Sequence, residues 1–216
     1  ECEATARHID ILVLAVKPQI MAKVCPALKA VISKDSLILS IAAGQTIDTL
    51  ASFFHDDQPI IRSMPNTPAA VGAGITVAAA NRFVTDAQKK NAEELLHVSG
   101  AFEWADNEAL LDAVTAVSGS GPAYVFLMIE AMTEAGIAMG LPEKLAEKLA
   151  RETVIGAGQL AKMDAQTSAA TLRENVTSPG GTTAAALSVL MENDALKKLM
   201  GKAVDAATKR SRELSA

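Results

Sequence analysis

The stretch Ile9-Asp10-Ile11-Leu12-Val13-Leu14-Ala15-Val16-Lys17-Pro18 decides the fold class of this chain. It is dominated by β-branched residues and Leu, the composition of a parallel strand buried on both faces, and it stops at a Pro suited to the first turn of a helix. Such a strand needs neighbours and a crossover. Downstream the chain alternates accordingly. Helical spacing runs from Pro18 to about Val31, and Ser36 to Ile41 reads as a second strand closed by Ala42-Ala43-Gly44. Thr46 is placed to cap a helix reaching about Phe54, and Pro59 to Met64 forms a third strand before the turn Pro65-Asn66-Thr67-Pro68. Ile75 to Ala80 is a fourth strand, and Thr85-Asp86-Ala87-Gln88 is a capping box opening a helix toward Val98. A short strand from Phe102 to Ala105 ends the series. Alternation of this kind predicts an α/β domain with a parallel sheet over residues 1–107.

From Glu108 onward only helical spacing remains, over Pro122 to Met139, Pro142 to Met163, Ala169 to Val176, Thr183 to Glu192 and Asp194 to Leu214. An all-helical domain over residues 108–216 is expected. It is rich in Ala and Gly, so its helices can approach closely. In the first of them Tyr124 to Ile129 leave almost no polar surface before Glu130. A helix apolar on every side must be covered, and a second copy of the chain is the expected cover.

Composition narrows the function. The 216 residues are 50% hydrophobic, enough for a full core, and the net charge of -5 is spread through mixed-sign sequence without a basic stripe for nucleic acid. The longest uninterrupted apolar runs fall short of the roughly 20 residues that cross a bilayer, so no membrane partner is expected. Cys2 and Cys25 have no metal or redox spacing and read as buried thiols of a reducing cytoplasm; His8, His55 and His97 stand alone and carry no assigned chemistry.

In open α/β sheets ligands bind beyond the carboxyl ends of the strands. Three strands end in small or turn-forming segments, Ala15-Val16-Lys17-Pro18, Ile41-Ala42-Ala43-Gly44 and Met64-Pro65-Asn66-Thr67-Pro68. Each alone reads as a plain turn. Their convergence on one sheet edge favours a ligand. In the helical half, Ser118-Gly119-Ser120-Gly121-Pro122 reads as a cap and flexible turn before a helix. Thr177-Ser178-Pro179-Gly180-Gly181-Thr182-Thr183 is denser in Ser, Thr and Gly than a cap requires, and the leading N–H groups of the following helix make it an anion site.

Taken in order, Ala-Val-Lys-Pro, Ala-Ala-Gly, Met-Pro-Asn-Thr-Pro, Ser-Gly-Ser-Gly-Pro-Ala-Tyr and above all Leu172 to Leu187 with its Ser-Pro-Gly-Gly-Thr-Thr resemble the pyrroline-5-carboxylate reductase family. The resemblance covers the whole chain. It implies a Rossmann-type domain followed by a helical dimerisation domain, in a cytoplasmic homodimer or a higher ring of dimers. It implies hydride transfer from NADPH or NADH to the imine carbon of 1-pyrroline-5-carboxylate, giving proline. By motif, Ala15, Val16, Lys17 and Pro18 with Ile41, Ala42 and Ala43 would line the cofactor. Asn66 and Thr67 would lie near its nicotinamide. Glu108, Asn175, Ser178, Gly181, Thr182 and Thr183 would hold the substrate, with Thr183 beside the ring nitrogen and the one side chain assigned to catalysis. No metal is implied.

The family's sheet opens with a Gly-x-Gly-x-x-Gly turn for the pyrophosphate, and no such sequence occurs in these 216 residues. The expectation is that N-terminal βα units, roughly 50 residues, are absent, and that a polypeptide starting at Glu1 would bind cofactor weakly and lack useful activity. Two rivals remain. β-Hydroxyacid reductases share the architecture but usually employ a catalytic Lys in a different motif, and a non-catalytic dimerisation or sensing module would dispense with the nucleotide turn.

Overall fold

The computed structural model describes residues 9–215; Cys2 and His8 lie outside them. Strand β1 (Ile11–Leu14), helix α1 (Pro18–Lys29), β2 (Leu37–Ser40), α2 (Ile47–Ala51), β3 (Ile60–Met64), β4 (Gly74–Ala80), α3 (Asp86–His97) and β5 (Gly100–Trp104) follow the expected order. The strands form one sheet in the order β1-β2-β3-β4-β5. Thr46 caps α2 by accepting from the Thr49 N–H at 3.1 Å, and Thr85 and Gln88 form the expected capping box.

Alternation along β2 and β3 divides the core between two faces. Ile38 and Ile60 pack with Met21 and Cys25 of α1 and Leu50 of α2. Leu37, Leu39 and Ile61 turn the other way, toward Ala92 and Leu96 of α3. Successive side chains point to opposite faces, so apolar residues at consecutive positions require helices on both sides. Cys25 is fully buried, and burial pushes its thiol up from the ordinary value, which keeps it protonated and inert.

Two features differ from the expectation. First, β1 is an edge strand whose Val13 is 49% exposed, because β2 is its only neighbour among the described residues. Second, β1, β2 and β3 pair in parallel and β4 pairs in parallel with β5, but β3 and β4 are antiparallel. The reason is chain length. Only residues 65–73, most of them in a 3₁₀ turn at Thr67–Val71, join β3 to β4, whereas a parallel return needs a crossover of roughly a dozen residues or more. At the start of β4 and β5, Gly74 faces Gly100, whose φ is +137°; a Cβ on Gly100 would overlap the Gly74 carbonyl oxygen. Only glycine allows both the backbone angle and the approach.

The remaining chain is helical: α4 (Leu110–Val114), a π turn at Thr115–Gly119, α5 (Gly121–Ala138), α6 (Glu143–Met163), α7 (Ala169–Asn175), α8 (Thr182–Met191) and α9 (Ala195–Ser215). Ser118 to Pro122 is therefore not a loose turn before a helix. Pro122 has no N–H to offer, and the ladder widens instead, with the Ser120 N–H donating to Thr115 O at 2.8 Å. As a result Leu110–Ala138 is helical throughout and, with mean hydropathy 1.3, long and apolar enough to cross a membrane by length and composition, which counting uninterrupted apolar runs did not anticipate.

The chain forms two compact units. One holds the sheet, α4 and the π turn, extends to Pro122, and regains the chain from Val204 onward; the other is Ala123–Ala203. Secondary structure changes character near Glu108, as expected, but the packing of the first unit reaches further. In it the guanidinium of Arg62, on β3 and 5% exposed, donates to Glu108 Oε1 at 2.8 Å, and the Ile47 N–H at the start of α2 donates to the same oxygen at 2.8 Å. Ser211 Oγ of α9 donates to Asp112 Oδ1 of α4 at 2.7 Å. In the second unit, a Cβ on Gly136 of α5 would lie 3.2 Å from the Ala146 Cβ of α6, so small residues do bring these helices close. No residue of α5 is buried within the single chain, and Phe126 and Leu127 are 59% and 63% exposed.

Two stability predictions follow from this packing. Gly100→Ala is expected to cost roughly 2–3 kcal/mol in urea unfolding, through backbone strain and collision with Gly74; a loss below about 0.5 kcal/mol would show that the two strand starts can part freely. Arg62→Met strands the Glu108 carboxylate and should cost about 2 kcal/mol, less than a fully buried pair because Glu108 is partly exposed. The double variant with Glu108→Gln should recover part of that loss, and simple additivity would mean that the two side chains are not coupled.

Candidate active site

Parallel pairing of β1, β2 and β3 brings their carboxyl ends to one edge of the sheet. The segments after β1 and β2 meet there beside a cavity of about 420 Å³, lined in part by Pro18, Gln19, Ala43, Gly44, Ser120 and Arg210. That volume lies within the range of small-molecule sites. Lys17 precedes α1 in an extended conformation and, like Ala15, is exposed, while Val16 and Pro18 are half-buried. The Ile41 N–H donates to Leu14 O at 3.1 Å, extending the β1–β2 pairing by one step. Ala42 points into the core and Ala43 outward, so of this pair Ala43 presents itself to the cavity.

Asn66 and Thr67 follow β3 at the same end of that strand, and Thr67 is exposed. The Asn66 side chain is committed to structure: its Oδ1 accepts from the Ile75 N–H at 2.9 Å and so fixes the turn into β4. Glu108 is similarly engaged, since its Oε1 takes both the Arg62 guanidinium and the Ile47 N–H.

Sequence reasoning missed the contribution of the chain's end. Ala207, Ser211 and Leu214 also line the cavity. Their spacing of four and three residues puts them on one stripe of α9. That stripe was legible as a helix face, but nothing local says what it packs against. Gly44 carries a clearer signal in retrospect: its φ is +70°, and a Cβ there would lie 3.2 Å from Leu214 O.

In the second unit, Ser178-Pro179-Gly180-Gly181 forms a β-turn. The Gly181 N–H donates to Ser178 O at 3.0 Å, and Gly180 has φ +70°. Pro at the second position and left-handed Gly at the third are the requirements of a type II turn. The turn delivers the chain to α8, whose N-cap is Gly181. Glycine brings no side-chain acceptor, and the first intrahelical bond of α8 runs from the Ala185 N–H to Gly181 O at 3.1 Å. The amides of Thr182, Thr183 and Ala184 thus head the helix without a side-chain cap, with the partial positive charge of a helix N-terminus. Asn175, the last residue of α7, and Ser178 are exposed, and Gly181 and Thr183 are half-exposed. The Thr177 hydroxyl turns away, donating to Arg173 O at 2.6 Å. A cavity of about 330 Å³ beside α7 and α8 is lined by Thr177, Ala184, Leu187 and Ser188 among others, and not by Ser178 or Thr183.

Comparison with known proteins matches these features. Residues 108–214 match the family described as pyrroline-5-carboxylate reductase dimerisation, and residues 1–44 match that described as NADP oxidoreductase, coenzyme F420-dependent. A pyrroline-5-carboxylate reductase of Pseudomonas aeruginosa is 45% identical over 95% of this chain and 75% of its own length. Among solved structures, a pyrroline-5-carboxylate reductase from Coxiella burnetii superposes with a TM-score of 0.91 at 41% identity, covering 96% of this chain and 76% of that one. The Plasmodium falciparum pyrroline carboxylate reductase with NADP bound gives a TM-score of 0.83 at 34% identity, covering 98% and 79%. With the fold, the ordered strand-end segments and the Ser-Pro-Gly-Gly-Thr-Thr turn all in place, the chain belongs to the pyrroline-5-carboxylate reductase family.

Proposed function

We propose that this chain reduces 1-pyrroline-5-carboxylate to proline with NADPH or NADH, the last step of proline synthesis. The observation that carries the reading is the Ser178-Pro179-Gly180-Gly181-Thr182-Thr183 turn, which heads α8 with amides that no side chain caps, in a member of this family. A carboxylate is the natural partner for such amides. The substrate carboxylate is assigned to Gly181, Thr182 and Thr183, with Asn175 and Ser178 alongside and the Thr183 hydroxyl at the ring nitrogen.

The cavity beside Ala43 and Gly44 fits a nicotinamide. Its lining is mainly apolar, Gly44 removes a side chain where α9 comes close, and Gln19 and Ser120 supply polar groups at its margin. Of the residues matched by motif, Pro18 and Ala43 line that cavity, and Ala15, Val16, Lys17, Ile41, Ala42, Asn66 and Thr67 are assigned to the cofactor's surroundings on the resemblance alone. When bound, the reduced nicotinamide supplies the hydride for the imine carbon. The residues of the chain orient the two rings, exclude water and hold the ring nitrogen in its protonated, hydrogen-bonded form. Neither a metal nor a histidine acid is assigned a role. For Glu108, whose Oε1 serves Arg62 and Ile47, positioning is favoured over substrate contact.

The exposed apolar surface of α5 is assigned to a second copy of the chain, giving a homodimer or a ring of dimers. Glu130 and Glu134, one turn apart within the helix, disfavour a bilayer as its cover. A net charge of -5 without a basic stripe disfavours nucleic acid, and a cytoplasmic location is assigned together with the biosynthetic role.

The decisive assay follows NADPH consumption by the full-length protein with 1-pyrroline-5-carboxylate. Turnover that yields proline is expected, and a folded protein without turnover would return the chain to a binding or dimerisation module. Thr183→Ala should lower kcat by roughly tenfold, about 1.4 kcal/mol in barrier, through lost orientation; unchanged steady-state constants would remove Thr183 from the mechanism. Light scattering should give at least twice the chain mass, and a monomer at micromolar concentration would contradict the covered α5.

A further inference from the structure

Two acidic residues of the first unit, Glu108 and Asp112, lie four positions apart where a helical turn begins, the Leu111 N–H donating to Glu108 O at 2.9 Å. Asp112 lies within α4, and Glu108 two residues ahead of that helix. Each has a partner next to the loop after β2. Glu108 Oε1 accepts the Ile47 N–H at 2.8 Å, at the point where the loop after β2 enters α2. Asp112 Oδ1 accepts from Ser211 Oγ at 2.7 Å, and Asp112 Oδ2 lies 3.8 Å from the Arg212 Nε, both on α9.

The α9 contact bears on the same loop. Ser211 and Leu214 are three residues apart on the stripe that lines the cavity, and the Leu214 carbonyl is the atom that a Cβ on Gly44 would meet at 3.2 Å. The bond to Asp112 is therefore placed one turn from the point where α9 backs Gly44. Ser211 is 7% exposed and the Asp112 side chain 16%, so neither partner exchanges its bond freely for water. Arg62, itself buried, holds Glu108 from β3.

We propose that Glu108 and Asp112 form a bracket of positioning residues for the cofactor-facing loop Ala42-Ala43-Gly44, Glu108 fixing its exit into α2 and Asp112 holding α9 against Gly44 through Ser211. Neither carboxylate touches the reacting atoms. The bracket sets the width of the cavity that receives the nicotinamide, and its effect falls on cofactor affinity rather than on the chemical step. This role rests on the reductase reading given above.

The test compares Asp112→Ala, Ser211→Ala and Asp112→Asn with the unaltered full-length protein. It measures KM for NADPH, kcat at saturating cofactor, and hydrogen exchange of the amides from Ala42 to Ile47 without cofactor. Both alanine variants should raise KM for NADPH by about tenfold, the loss of one buried hydrogen bond to a charged group, and should speed exchange in the loop. Saturating kcat should stay within about twofold. Asp112→Asn keeps an oxygen that accepts from Ser211, and it should restore both readouts most of the way. The bracket is overturned if the alanine variants leave loop exchange unaltered, if they lower kcat while KM is unchanged, or if Asp112→Asn is as impaired as Asp112→Ala. Should Asp112→Ala fail to fold, Ser211→Ala carries the comparison alone. Absence of turnover in the unaltered protein would remove the reductase reading, while loop exchange would still decide whether the bracket orders the loop.

Discussion

Parallel pairing of β1, β2 and β3 is the constraint on which the rest of this structure depends. Strands buried on both faces must be covered by helices on both sides, and consecutive parallel strands must each be joined by a crossover. The sequence meets both demands, with Ile38 and Ile60 facing α1 and α2, and Leu39 and Ile61 facing α3. The same pairing leaves all three carboxyl ends at one edge. The small residues after Leu14 and Ser40 gather there because no other arrangement of the strands would put them together.

The edge is then closed by elements distant in sequence. Antiparallel β4 ends the parallel run, since residues 65–73 are too few for a crossover, and Asn66 holds the resulting turn through Ile75. α4 and the end of α9 pack onto the same unit, joined by Ser211 and Asp112. A charged group buried on a strand, Arg62, is tolerable only because Glu108 meets it at 2.8 Å. Glu108, which the resemblance placed with the substrate, thus has structural partners of its own.

Much of this was legible in the sequence, and the gaps have physical causes. Alternation, the Thr46 cap and the Thr85 capping box are local signals, and each appears where the residues put it. The turn at Ser178 that heads α8 was legible from its density of Ser, Thr and Gly, and the structure adds the left-handed Gly180 at its centre. What escaped was non-local. The direction of β4 depended on counting a connection rather than reading a strand. Ser118 to Pro122 looked like a cap and flexible turn, since paired glycines beside a proline commonly break helices, and here the π turn at Thr115–Gly119 only widens one. The packing of Ala207, Ser211 and Leu214 beside Gly44 joins residues more than 160 positions apart, beyond the reach of any pattern.

The two ends of the reaction therefore rest on different kinds of structure. A sheet edge with a glycine at close quarters suits a flat cofactor ring, and a helix headed by uncapped amides suits a carboxylate. The most direct test is a crystal structure of the full-length protein with NADPH and a proline-like carboxylate bound. The account predicts the nicotinamide against Ala43 and Gly44, and the carboxylate on the free backbone N–H groups of Thr182 and Thr183, since that of Gly181 closes the turn onto Ser178. A carboxylate held elsewhere, with those amides bound only to water, would contradict it.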